Sequence, residues 1–253
     1  MKKNMLLCLS GILMIAIASC GKTDPTPSSN ASKLSKSYFW NPSTNVQTLS
    51  YQFSYNSDGR FVSATTGNND TYSTEYDAGG KLTKLTKTNP NGRSEVSVFA
   101  YSSGGQLIKV SQTSTSGGNP TGSAVIDYEY NSAGKISKSV TVYPTVGTFT
   151  VEYTWTGDNV SESKSSNTSN ANVNVAKFVY DTKLSPYSSS AVGVGLFFNA
   201  GPTSKNNVTE ITTTYAGTTS IQKRTYEYNT DDYAISMKLA DGSNEGAKFE
   251  YVK

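Results

Sequence analysis

Pairs of aromatic residues two positions apart recur along this 253-residue chain, and they restrict its fold more than any other feature. The pairs are Phe53/Tyr55, Phe99/Tyr101, Tyr128/Tyr130, Tyr153/Trp155, Phe178/Tyr180, Tyr226/Tyr228 and Phe249/Tyr251, with Tyr72/Tyr76 a looser member that encloses Thr74. Successive second rings stand 21, 25, 29, 25, 25, 48 and 23 residues apart; the gap of 48 spans about two units, with Tyr215 inside it as a degenerate member. A period near 25 marks a repeat architecture. The i, i+2 spacing sets both rings of a pair on one face of an extended strand. Ser, Thr, Glu and Lys around them suit the opposite, wet face, the pattern of half-buried antiparallel strands.

Four units continue into a turn at constant offset: Asn56-Ser57-Asp58-Gly59, Asp77-Ala78-Gly79-Gly80, Ser102-Ser103-Gly104-Gly105 and Asn131-Ser132-Ala133-Gly134. Asn, Asp or Ser opens a type I turn by hydrogen-bonding its own backbone. Glycine then takes φ > 0 and forms a bulge that matches the twist of the flanking strands. The return strand follows as Arg60-Phe61, Lys81-Leu82, Gln106-Leu107 and Lys135-Ile136. The unit at Trp155 is shortened to Thr156-Gly157-Asp158-Asn159, and Asn229-Thr230-Asp231-Asp232 after Tyr228 has no glycine, which leaves its turn geometry open. All units run in one sense, so the tight turns collect at one end of the sheet. Longer, irregular connections are expected at the other end, over Thr65–Thr71, Thr88–Ser94, Ser111–Ser123, Tyr143–Thr148 and Ser163–Asn172. The fold class is therefore all-β: an antiparallel β-meander of repeated hairpins, whose strongly twisted sheet curls into an open barrel or folds back into a second layer to cover its apolar face.

The N-terminus carries a different signal. Lys2 and Lys3 precede a short apolar run, Met5 to Ile17, which is the layout of an export signal. The run is shorter than the roughly 20 residues that a spanning helix needs. It ends Ile17-Ala18-Ser19-Cys20-Gly21, a lipobox-like sequence in which Cys20 is the candidate for lipidation and membrane attachment. Residues 1–19 are then the signal peptide. Residues 20–36, polar and rich in Pro and Ser, form a flexible tether, and 37–253 the β domain. Cys8 lies in the signal, so the mature domain has no disulfide to rely on. The expected location is the outer membrane, lipid-anchored, on the cell surface or the periplasmic face.

Composition narrows the chemistry. The chain has no histidine, which removes imidazole acid–base catalysis, imidazole ligation of metals and His-activated nucleophiles. Lys and Arg number 22 against 19 Asp and Glu, scattered along the chain, so no nucleic-acid-binding face is expected. Asp231/Asp232 are read as solvated turn residues, and no calcium-loop motif is present; neither a metal nor a cofactor is expected.

The unit resembles the YD repeat: an aromatic, then Asn or Asp, a glycine, a basic residue and an aliphatic. Tyr180-Asp181-Thr182-Lys183-Leu184-Ser185-Pro186-Tyr187, Asn206-Asn207-Val208-Thr209-Glu210-Ile211 and Tyr226-Glu227-Tyr228-Asn229-Thr230-Asp231-Asp232-Tyr233 sharpen the likeness over about residues 50–253 to the YD-repeat-like lipoproteins of Bacteroidetes, a domain of unknown function. The resemblance implies an envelope location and a β-meander. It implies no catalytic residues.

The paired rings are read as core, because burying one contributes on the order of 1.5–3 kcal/mol. Aromatics outside the pairs are the ligand candidates: Trp40, Tyr187, Phe197 and Phe198, with Tyr38 and Phe39 beside the first. The segment Ser185 to Asn207 breaks the rhythm and is expected to cap an open end of the sheet, or else to act as a flap beside a ligand. The functional expectation is a non-catalytic envelope binding or adaptor module for a glycan or an envelope protein. The alternative is a structural or assembly role in the periplasm. An enzyme would require two convergent carboxylates in a cleft.

Overall fold

The turn after the first aromatic pair forms as its residues dictate. Asn56 N–H donates to the Arg60 carbonyl at 2.9 Å, Gly59 N–H returns to the Asn56 carbonyl at 2.9 Å, and Gly59 sits at φ +75°. The same pair of bonds closes the turns at Asp77, Ser102 and Asn131. It also closes the turn at Asn229, where Asp232 takes the glycine's place at φ +66°. The structure, a computed structural model, describes residues 32–188 and 202–253.

Sixteen strands are present among the described residues, and no helix. They are β1 (Lys33–Asn41), β2 (Val46–Tyr55), β3 (Phe61–Thr66), β4 (Thr71–Tyr76), β5 (Leu82–Thr88), β6 (Arg93–Tyr101), β7 (Leu107–Ser116) and β8 (Asn119–Tyr130). The second half comprises β9 (Ile136–Tyr143), β10 (Gly147–Thr156), β11 (Asn159–Asn167), β12 (Asn170–Leu184), β13 (Asn206–Tyr215), β14 (Thr218–Tyr228), β15 (Ala234–Leu239) and β16 (Gly246–Val252). Every strand pairs antiparallel with its neighbours in sequence, and β1 pairs with β16, so the meander closes into a barrel. Closure removes both sheet edges, a point that the repeat pattern left open. β1 begins at Lys33, ahead of residue 37, where the sequence placed the start of the domain.

Each return strand carries a bulge. Ser54 faces Ser63 while Tyr55 faces Phe61, leaving Val62 extra; Thr83, Ile108 and Ser137 are the equivalents in the next three hairpins. Inward residues on these strands therefore fall at i, i+3: Phe61/Ala64, Leu82/Leu85, Leu107/Val110 and Ile136/Ser139 are all buried. The bulges also end the ladders between units early. The β3–β4 pairing stops at Ser63↔Ser73 and β5–β6 at Lys84↔Val98, so the strands splay at the turn end.

The second ring of each pair fills that gap. Tyr76 Oη donates to the Phe61 carbonyl at 2.6 Å, Tyr101 to Leu82 at 2.8 Å, Tyr130 to Leu107 at 2.7 Å and Tyr180 to Val160 at 2.6 Å. Trp155 makes the same bond to Ile136 through Nε1 at 2.7 Å. Tyr55 to Leu34 and Tyr251 to Ala234 extend the series around the barrel; on β14 the first ring, Tyr226, makes the bond to Val208, and the second, Tyr228, donates to Asp181 instead. Each bond to a carbonyl satisfies one released by the splay, a group that would cost about 1–3 kcal/mol if left buried and unpaired. The basic residue after the turn glycine reaches the next unit's ring: Lys81 Nζ lies 5.5 Å from the Tyr101 centroid, Lys135 5.2 Å from Trp155 and the Arg60 guanidinium 6.0 Å from Tyr76.

The turn end is thus packed solid, with Leu34, Phe53, Phe61, Leu82, Phe99 and Leu107 among its buried residues. The outer face carries charge. Cross-strand pairs Glu75/Lys84, Asp127/Lys109, Glu129/Lys138 and Glu210/Lys223 stand at 2.8, 3.3, 2.9 and 3.4 Å. A membrane-spanning barrel places an apolar band outward, and a Lys or Arg facing lipid at the midplane costs about 2–4 kcal/mol. This exterior suits water.

At the other end the expected long connections are short turns. β7 runs to Ser116 and β8 starts at Asn119, with only Gly117-Gly118 between; β11 and β12 are joined by Thr168-Ser169. The reading of these stretches as variable loops is corrected. Their strands are polar on both faces, with Gln112 and Ser114 inward and Ser111 and Thr113 outward, so no alternation of hydrophobicity marks them as strand.

Candidate functional site

Towards this open end the inner face becomes polar around most of the circumference. Lys87 and Glu95 face each other across β5 and β6, and Gln112 and Asn174 continue the polar lining. The sector from β14 through β16 to β2 differs. There Phe39 opposes Ala247, Met237 opposes both Ala247 and Tyr226, and Leu239 opposes Arg224. A cavity of about 610 Å³ opens in this sector, lined by Phe39, Ala247, Met237, Leu239 and Arg224 together with Gln222, Tyr187 and Phe249. Its size lies in the range of about 300–1,000 Å³ usual for ligand sites.

Phe39 stands out on this wall. Its register partner is the small Ala247, which gives the ring little to pack on, and it is 68% exposed. Tyr187 forms the floor. It lies in the turn after β12 and meets Phe249 edge-on, with centroids 6.2 Å apart at 82°. Burial raises its phenol pKa well above the ordinary tyrosine value, so it stays protonated. Arg224 comes from β14. Its Nε and Nη2 both donate to Gln222 Oε1, at 3.1 and 2.7 Å, which fixes the guanidinium against the wall. Tyr226 lies one inward position further along. Burial raises its pKa, and Arg224, hydrogen-bonded to it, pulls in the opposite direction.

Of the residues singled out from sequence, Tyr187 and Phe39 line this cavity, and Trp40 and Tyr38 border it from β1 positions that alternate with Phe39 and turn their side chains to the outer face. Trp40 borders the rim, where its indole N–H donates to Asn45 Oδ1 at 3.0 Å and Lys248 Nζ lies 4.7 Å from its ring centroid. Gly246, its neighbour on β16, permits that approach: a Cβ there would stand 2.9 Å from Trp40 Cε3 and 2.6 Å from the Met237 carbonyl. Tyr38 donates to Glu250 Oε1 at 2.8 Å, on the outer side of β1. Phe197 and Phe198, the cap or flap expected of their segment, and Cys20 lie outside the described residues. Sequence reasoning missed Gln222, Arg224, Met237 and Leu239. A signal was available for two of them, because Gln222 and Arg224 continue the i, i+2 face of Tyr226 and Tyr228.

Beneath the cavity, Asp181 anchors the end of β12. Its carboxylate accepts from the backbone N–H groups of Lys183 (2.9 Å) and Asn207 (3.1 Å), from Asn207 Nδ2 and from Tyr228 Oη. Asn207 is itself buried and donates on to the Leu184 carbonyl at 3.2 Å. Among the described residues no three His, Cys, Asp or Glu side chains converge as metal ligands.

No protein-family model matches the chain, and no curated protein matches it in sequence. Solved structures match in fold. A porin-like protein from Bacteroides uniformis is 11% identical, with a TM-score of 0.55, over 89% of this chain and 100% of that one. A porin-like protein from Bacteroides vulgatus is 10% identical over 88% of this chain and 99% of that one, with a TM-score of 0.47. A Tc holotoxin pore structure from Photorhabdus luminescens is 13% identical over 83% of this chain but 11% of that one, with a TM-score of 0.33. What this chain shares with the first of these is the closed antiparallel barrel.

Proposed function

We propose that this chain is a non-catalytic cell-envelope lipoprotein, lipidated on Cys20 and held at the outer membrane, whose barrel mouth binds a glycan or an envelope protein. The observation that carries the reading is Phe39: an aromatic 68% exposed on the inner wall of a cavity of about 610 Å³. A folded chain leaves such a ring uncovered at little benefit to its own stability, and apolar walls with a few fixed polar groups are the usual make-up of ligand sites. The lack of histidine throughout the chain supports binding over turnover. A structural or assembly role in the periplasm is the second reading, supported by the solid packing of the turn end.

The test is binding by the whole chain on a glycan array, alongside cross-linking in intact envelopes from a photoreactive residue at position 39. Phe39→Ala is expected to weaken capture about tenfold with the melting temperature unchanged, since the ring supports no core. Absence of any saccharide signal and of any adduct at position 39 would leave only the structural role.

A further inference from the structure

Among the described residues, Arg224 is the basic side chain in the lining of the mouth cavity. Lysines 36, 84, 87, 109, 135, 138, 164, 177, 183 and 223 each meet a carboxylate. Arg60, Lys81 and Lys248 lie over aromatic rings. Arg224 lines the mouth cavity, half-buried, and its partners there are neutral: the Gln222 amide and the Tyr226 phenol. The carboxylate in the same lining, that of Glu245, is exposed and forms no ion pair with it among the described residues.

A guanidinium with two of its five donors tied to one amide oxygen keeps its charge and a preset orientation. It retains donors for an incoming anion, and a carboxylate matches its fork. The apolar wall beside it, Phe39 with Met237 and Leu239, accepts a flat, weakly polar surface. Around the rim stand Thr48, Ser50, Asn41 and Asn244, groups suited to hydroxyls. A fatty acid would call for an enclosed apolar tunnel instead of this open, polar-rimmed mouth. We infer that the mouth selects an acidic saccharide, a uronic-acid unit whose pyranose face packs on Phe39 and whose carboxylate pairs with Arg224. The inference rests on the glycan form of the proposed function and specifies its ligand.

The experiment is isothermal titration calorimetry of the whole chain, in detergent, with trigalacturonic acid and with its fully methyl-esterified form. The two ligands share one saccharide backbone, each carboxylate of the acid being a neutral methyl ester in the other. The acid is expected to bind about tenfold tighter or more, and Arg224→Gln to bring both to the weaker value at unchanged melting temperature. Raising NaCl from about 20 mM to about 500 mM in the unaltered chain should weaken the acid and leave the ester alone, a readout that holds even if the variant misfolds. Equal affinity for acid and ester, or a preference that survives Arg224→Gln, overturns the acidic-ligand inference while glycan binding stands. Binding of neither, with no hit on the array, overturns both.

Discussion

The phenol of Tyr101 donates to the Leu82 carbonyl at 2.8 Å, whereas that of Tyr128, more deeply packed, finds no partner among the described residues. The two hydroxyls should respond oppositely to deletion. Tyr101→Phe strands a carbonyl that the splayed ladder has already released, and should cost about 1–3 kcal/mol. Tyr128→Phe removes a desolvated hydroxyl that no bond repays, and should be neutral or stabilising by up to about 1 kcal/mol. Urea unfolding midpoints at constant m-value decide this; equal losses would show that ring burial, not the hydrogen bond, joins the units. At this scale the sequence displayed the rings and their common face, but not the acceptors. Phe61 stands 15 residues from Tyr76 and Leu107 stands 23 from Tyr130, so no fixed offset points to them.

The hairpin is the element that the sequence wrote most clearly. Asn or Asp, glycine and a basic residue at constant offset gave the turn, and the structure adds why the basic residue recurs: Lys81 and Lys135 cover the next unit's ring. The i, i+3 aliphatics of the return strands follow from the bulge at Val62 and its equivalents, a break in period 2 visible in Leu82/Leu85 and Leu107/Val110. The end of β12 depends on chemistry of longer range. Asp181 joins Lys183, Asn207 and Tyr228, and so fixes where the connection to β13 leaves and returns. Hydrogen bonds to a charged group contribute about 1.5–3 kcal/mol each, so Asp181→Ala should cost about 3 kcal/mol or more. It should also sensitise the chain between Leu184 and Asn206 to protease ahead of global unfolding. Cleavage no faster than in the unaltered chain would mean that the network does not hold this connection.

Viewed whole, the barrel turns its paired rings inward and cross-strand ion pairs such as Glu75/Lys84 outward. Exposed pairs such as Glu75/Lys84 contribute about 0–1 kcal/mol each, so their value here is solubility more than stability. In planar lipid bilayers the whole chain is therefore expected to give no step conductance, even where an acyl anchor holds it at the surface. Discrete channels at low protein concentration would contradict this assignment of the outer face. The aromatic period and turn chemistry by themselves determined an antiparallel meander with a ring-filled face, because i, i+2 spacing and a left-handed glycine act within one hairpin. Three things were decided by the tertiary structure. β1 met β16, a pairing between opposite ends of the domain, which depends on accumulated twist. Polar stretches became strand, since ladder hydrogen bonds satisfy a backbone whichever side chains it bears. Phe39 and Arg224, 185 positions apart, came to line one cavity because closure left only β15 and β16 between β14 and β1.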